Sequence, residues 1–83
     1  MTIQLKTVCP EQIGELPNGA YEVPDGSTAA EALQACMRAA GLEPLPPERE
    51  EKLLFLRNSQ HIRPETPLQD GDRLMILRPL TGG

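Results

Sequence analysis

The sequence contains few of the residues on which catalytic and metal sites depend. Its 83 residues include one histidine, His61, and two cysteines, Cys9 and Cys36. A single imidazole excludes a multi-histidine metal site, and the two cysteines match no metal-binding or redox spacing. Cys36 falls within an apolar stripe of helical period, so we predict a buried, unreactive thiol there. The sequence therefore predicts no active site and no bound metal or cofactor.

The chain also lacks an excess of positive charge and any long apolar run. Twelve acidic and eight basic residues give a net charge of −4, which argues against a nucleic-acid-binding protein. No segment approaches the roughly 20 apolar residues that cross a bilayer, and the first residues lack a signal-peptide pattern. We therefore expect a cytoplasmic domain without nucleic-acid or membrane partners. The four arginines in residues 53–83 fit either solvated strand edges or a patch that faces a partner.

Alternation of apolar and polar residues predicts strands in both halves of the chain. Period two over residues 2–8 and a short run at 20–23 predict an antiparallel hairpin with a long loop. Apolar runs at 53–56 and 73–78 predict two further strands, with a brief edge strand at 61–62. The run at 53–56 has no polar alternation, which indicates a strand covered on both faces.

Between these groups of strands lies the strongest local signal, a helix at residues 29–40. Thr28 and Glu31 have the spacing of a capping box, and Gly41 suits the left-handed residue that ends many helices. The apolar residues recur at helical spacing on one face: Ala29, Leu33, Cys36, Met37 and Ala40.

This order of elements predicts an α+β fold in which one helix packs across one face of a mixed sheet of four to five strands. The last strand is apolar on both faces, but a single helix covers only one. Met75 and Leu77 are therefore expected to form, with Leu53 or Phe55, an apolar patch where a protein partner docks. The alternative is that the proline-rich connection at 42–52 or the first hairpin loop folds over this patch.

After this strand the sequence closes with a short tail, Leu80-Thr81-Gly82-Gly83. Two glycines without side chains keep the tail slim and flexible, and four extended residues reach roughly 13 Å. We expect the tail to carry its terminal carboxylate into a narrow site on another protein. The expected organisation is a folded domain at 1–78 and a flexible tail at 79–83.

Several motifs from about residue 20 onward occur together. The turn Asp70-Gly71-Asp72 precedes a strand, a short tail and a glycine pair, while Asn58, Pro64 and the Val-Pro-Asp-Gly-Ser-Thr segment at 23–28 complete the pattern. In this combination the chain resembles the MoaD/ThiS-like sulfur carriers. These are the small subunit of molybdopterin synthase and the sulfur carrier of thiamin biosynthesis, which have the ubiquitin-like β-grasp fold.

The resemblance implies a function for the tail. A ubiquitin-activating-type enzyme would use ATP to adenylate the carboxylate of Gly83, and sulfur transfer would then give a C-terminal thiocarboxylate. Its sulfur would enter a cofactor precursor on the molybdopterin synthase large subunit or, alternatively, on thiazole synthase. The tail passage would comprise Gly82, Thr81 and Leu80. The residues that dock the body on a partner would be Met75, Leu77, Arg78 and Phe55.

Two other functions fit the same residues. A ubiquitin-like modifier would use an activated Gly83 to form an isopeptide bond with a lysine. A non-covalent β-grasp interaction module would bind through Met75 and Leu77, and its tail would be incidental.

Overall fold

The computed structural model describes residues 1–7, 16–46 and 53–77, which form five strands and one helix. The helix is α1 at Ala29–Ala39. The strands are β1 Thr2–Thr7, β2 Gly19–Glu22, β3 Leu54–Arg57, β4 Gln60–Ile62 and β5 Arg73–Leu77. The predicted α+β fold, with one helix on a sheet of up to five strands, is confirmed within these residues. Cys9, Arg78 and the tail at 79–83 lie outside them.

The sheet is mixed and has the strand order β2-β1-β5-β3-β4. β1 and β5 pair in parallel at its centre, with Leu5 opposite Leu74, and the other neighbours are antiparallel. Parallel partners cannot be joined by a tight turn, so a long crossover has to separate them in the chain. Here the crossover contains β2, α1, β3 and β4.

Both ends of α1 are fixed as predicted, and the helix is one residue shorter than expected. The Glu31 N–H donates to Thr28 Oγ1 (3.2 Å), and the Thr28 N–H donates to Glu31 Oε1 (2.9 Å), which completes the capping box. At the other end Gly41 has a φ of +77°. The Leu42 N–H donates to the Met37 carbonyl (2.8 Å), as in a Schellman motif.

The core lies between α1 and one face of the sheet. The helix contributes five buried residues: Ala29, Ala32, Leu33, Cys36 and Met37. The sheet contributes five residues that are at most 3% exposed: Ile3, Leu5, Phe55, Leu74 and Ile76. Full burial of a large apolar side chain contributes about 1.5–3 kcal/mol, so this layer is the main source of stability.

Two long loops each place a leucine in the core on the helix side of the sheet. Leu45, in the proline-rich connection, is 9% exposed and belongs to the core. The Gln34 carboxamide on α1 donates to the Leu45 carbonyl and accepts from the Leu45 N–H, both at 3.1 Å. Leu16, which precedes β2, also packs into the core. The leucines of both loops thus pack on the helix side.

A two-residue turn joins β3 to β4. Arg57 pairs with Gln60 across it, and the turn residues Asn58 and Ser59 have φ values of 51° and 72°. Two positive φ values define a type I′ turn, in which the second position favours glycine. A residue with a Cβ in this conformation carries a steric cost of about 1–2 kcal/mol.

Ser59→Gly is therefore expected to raise the free energy of unfolding by roughly 0.5–1 kcal/mol, because glycine adopts this φ without steric cost. Chemical denaturation of the two proteins measures the difference. The reciprocal control is Gly71→Ser, since Gly71 has a φ of +85° and open space around its Cβ position. That variant should lose stability. A less stable Ser59→Gly variant would contradict the argument from φ.

Candidate partner-docking face

The face of the sheet opposite α1, here called the open face, is defined by strand alternation. Successive side chains point to opposite faces, so the neighbours of the buried strand residues lie on this side. On the three inner strands these are Thr2, Gln4, Lys6, Leu54, Leu56, Arg73, Met75 and Leu77.

Four of these residues form an apolar stripe: Leu54, Leu56, Met75 and Leu77. Leu54 pairs with Leu77, and Leu56 pairs with Met75. Side chains that face each other in such a pair have Cβ atoms about 5 Å apart. All four are half-buried, and no described element covers them. The structure thus places Met75 and Leu77 on an uncovered face, as expected.

Phe55 does not belong to the apolar stripe. Its side chain is 1% exposed, and it pairs with Ile76 on the helix side of the sheet. The prediction that Phe55 contacts a partner is therefore wrong. Leu53, at 5% exposed, also lies in the core, so the patch contains Leu54 and Leu56 instead. A run of four apolar residues has no alternation to show which face each one takes, and only the pairing with β5 reveals it.

The end of β5 brings the chain to the border of the apolar stripe. β5 ends at Leu77, one of the four stripe residues. The other predicted site residues lie outside the described part of the chain: Arg78, Leu80, Thr81, Gly82 and Gly83.

A nearly buried polar cluster fixes the turn next to the open face. Asp72 is 8% exposed, and its carboxylate accepts from the Gln69 N–H (2.8 Å) and from Asn58 Nδ2 (3.2 Å). Asn58 Oδ1 accepts from the Arg73 N–H (3.0 Å), and Arg57 Nε lies 4.0 Å from Asp72 Oδ2. These contacts join the start of β5 to the β3–β4 turn. They therefore set the register in which the stripe residues meet.

We find no grouping of catalytic side chains among the described residues. No three histidine, cysteine, aspartate or glutamate residues in that part of the chain are placed to hold a metal ion. The N–H groups of Ala29 and Ala30 donate to the carbonyls of Thr66 (2.9 Å) and Pro64 (2.8 Å). The first turn of α1 is thus occupied by the chain itself and does not offer these groups to a phosphate. Across the same residues, no helix has the length and apolarity needed to cross a membrane.

Cys36 is fully buried in the core. Burial raises the pKa of its thiol to about 12, because apolar surroundings stabilise a thiolate poorly. The prediction of a buried, unreactive thiol agrees with this environment.

The arrangement of one helix on a five-stranded mixed sheet is that of the β-grasp, ubiquitin-like proteins. The chain is similar to SAMP1 from Haloferax volcanii, with a TM-score of 0.73, 23% identity and 100% of each chain covered. A Pyrococcus furiosus protein described as molybdopterin converting factor, subunit 1, matches with a TM-score of 0.67 and 14% identity, over 96% of this chain and 99% of that chain. A Caldiarchaeum subterraneum ubiquitin matches with a TM-score of 0.57 and 15% identity, over 100% of this chain and 98% of that chain. At these identities the likeness establishes the fold.

The sequence itself establishes the family. The ThiS family profile matches residues 11–83, which include both glycines of the tail. The chain therefore belongs to the ThiS family, and its resemblance to the MoaD/ThiS-like proteins is confirmed. No curated relative matches the chain at the sequence level.

The environment of Cys36 predicts that it does not react in the native protein. In a Cys9→Ser variant, Cys36 is the remaining thiol, and Ellman's reagent should modify it only after unfolding in guanidinium chloride. The reason is that the reactive species is the thiolate, which is disfavoured and inaccessible in the core. Absorbance of the released thiolate measures the rate. Labelling of the native variant as fast as that of the unfolded one would contradict the prediction.

Proposed function

We propose that this chain is a sulfur carrier whose Gly83 is adenylated and then converted to a thiocarboxylate. The observation that carries the proposal is an uncovered apolar stripe at the end of β5, immediately before a slim tail with two glycines. Two further observations support this role. The chain belongs to a family of small carrier proteins, and its described part contains no grouping of catalytic side chains. The carrier is not an enzyme and holds no cofactor, and ATP is used by the partner that activates it.

The proposed chemistry takes place at the tail. A carboxylate is a poor electrophile, so its oxygen first attacks the α-phosphate of ATP, and pyrophosphate leaves. Hydrosulfide, or an equivalent sulfur donor, then attacks the acyl carbon, and AMP leaves with the electron pair of the broken bond. Gly82 and Gly83 have no side chains that would obstruct a narrow channel. The body of the carrier serves to hold the tail at the opening of that channel.

The apolar stripe is the proposed anchor of the body on its partners. Its four side chains are half-buried, so covering them removes apolar area from water, and each Å² contributes about 25 cal/mol. A partner that covers Leu77 also meets the first tail residues. Arg78 follows Leu77 directly, and we propose that it contacts an acidic group beside the channel.

Molybdopterin synthesis is the first candidate pathway, and thiamin synthesis is the second. The likeness to the Pyrococcus furiosus protein described as molybdopterin converting factor, subunit 1, supports the first, while the ThiS family match suits either. The partners would be a ubiquitin-activating-type adenylating enzyme and then the molybdopterin synthase large subunit or thiazole synthase. We propose that the carrier meets them in the cytoplasm.

A ubiquitin-like modifier is the second candidate function. The likeness to SAMP1, the small archaeal modifier protein 1 of Haloferax volcanii, favours it. The same acyl adenylate would then react with a lysine amine, so AMP would leave as an amide bond forms. Covalent adducts of higher mass in a cell lysate, absent from a variant without Gly83, would distinguish this function from sulfur transfer.

The sulfur-carrier proposal predicts a defined mass change. Incubation with the cognate adenylating enzyme, ATP and a sulfide donor should raise the intact mass by about 16 Da, since one oxygen is exchanged for sulfur. Fragmentation should place this change at Gly83. Deletion of Gly83, or addition of a C-terminal tag, should abolish it. A tagged protein that still supports full cofactor synthesis would rule the mechanism out.

The proposed anchor predicts an effect of Leu77→Glu on activation. A charge in the stripe should lower kcat/KM for adenylation at least about tenfold, because an unpaired carboxylate is desolvated at the interface. The matched control is Leu42→Glu, which makes the same change at a half-buried leucine on the helix side. Pyrophosphate exchange measures both, and circular dichroism checks folding. Equal activity of the two variants would contradict a role for the stripe.

A further inference from the structure

Next to the apolar stripe, the open face contains a depression with a volume of about 620 Å³. Its polar lining comes from β1, β5, the β3–β4 turn and Asn18, which precedes β2. Four of these residues are here called the basic basin: Gln4, Lys6, Ser59 and Arg73. Met75 also lines the depression and belongs to the apolar stripe. A protein that covers the stripe therefore reaches the basic basin as well.

Lys6 and Arg73 give the basin two positive charges. Gln4 pairs with Arg73 and Lys6 pairs with Met75, so the two basic residues lie on adjacent strands with Cβ atoms roughly 8 Å apart. Both are exposed. Neither forms an ion pair with another residue in the described part of the chain. Both charges are thus available to a ligand that bridges them.

The charge of the basin is opposite to that of the whole chain, which has a net charge of −4. Glu22, an acidic residue on the open face, pairs with Thr2 at the other end of β1 from Lys6. An acidic group that approaches this protein is therefore attracted to the basin, whereas the net charge of the chain repels it. Such a contrast in potential favours one orientation during an encounter.

The backbone at the rim gives an independent indication. Ser59 keeps a positive φ of 72°, although glycine would be accommodated more easily there. Strained residues of this kind are concentrated at functional sites. The Asn58 side chain is occupied by the Arg73 N–H and the Asp72 carboxylate, so it holds the turn in place. The Ser59 hydroxyl is then a further donor beside the two cations.

We propose that the basic basin binds an aspartate or glutamate side chain of the partner that covers the apolar stripe. The identity of that partner rests on the proposed function, whereas the chemistry of its contact rests on the basin itself. A carboxylate accepts charge-assisted hydrogen bonds from ammonium and guanidinium groups at once. The stripe supplies affinity, and the basin fixes the rotation of the body, so that the end of β5 points toward the channel.

The first test measures adenylation by the cognate activating enzyme. Lys6→Glu and Arg73→Glu should each lower kcat/KM about tenfold and reduce its dependence on salt, with kcat at saturation unchanged. The matched control is Arg38→Glu, the same charge reversal at an exposed position on α1, which should stay within about twofold. An equal loss of kcat/KM in all three variants would show that the net charge of the protein, and not the basin, determines the rate, and would overturn the inference. Unchanged kinetics of the basin variants would overturn the inference and leave the proposed function standing.

The second test does not depend on activation. A blocked Asp-Glu-Leu-Glu-Asp peptide is titrated into the ¹⁵N-labelled full chain, with Asn-Gln-Leu-Gln-Asn as the neutral control. Amide shifts should concentrate at Lys6, Ser59 and Arg73, and should vanish in the Lys6→Glu, Arg73→Glu double variant. If these shifts occur but no adenylating enzyme accepts the protein, the carboxylate-binding role of the basin is supported and the proposed function is contradicted. Absent or evenly spread shifts, or equal shifts with inorganic phosphate, would overturn the inference.

Discussion

A single helix buries only one face of the sheet. The other features of the structure depend on this difference in burial between the two faces. α1 covers Ile3, Leu5, Phe55, Leu74 and Ile76, which are at most 3% exposed. The opposite face keeps its apolar residues half-buried, and the loop residues Leu16 and Leu45 pack on the helix side. Apolar surface that folding leaves uncovered is available for association. The architecture that stabilises the body therefore also supplies the surface that we propose as the docking site.

β5 contributes side chains to both faces of the sheet. Leu74 and Ile76 face the helix, Met75 and Leu77 belong to the apolar stripe, and Arg73 lies in the basic basin. A shift of one residue in its pairing would exchange the two sets, because side chains alternate with period two. The cluster around Asp72 and the β3–β4 turn opposes such a shift. Core, docking surface and charge are thus set by one register.

Features encoded by neighbouring residues could be predicted from the sequence, whereas those set by distant contacts could not. The caps of α1 and the alternation in β5 are local, and the structure agrees with both. The run at 53–56 has no alternation, so the sequence does not show that Phe55 faces the helix. Arg57 is a charged residue at the end of an apolar run, and only the fold explains it. Its guanidinium donates to the Pro67 carbonyl (3.1 Å) and lies near the Asp72 carboxylate.

The parallel pairing of β1 with β5 has a consequence during synthesis. β1 leaves the ribosome first, but its central partner emerges about 70 residues later, and contacts at such separation form slowly. Until then the sheet consists of two hairpins without a shared centre, and the apolar side of α1 has no complete surface to cover. A polypeptide interrupted before residue 73 would stay open to proteases and aggregation. Folding of the body therefore requires that translation has passed the last strand, and a truncated chain lacks the complete sheet.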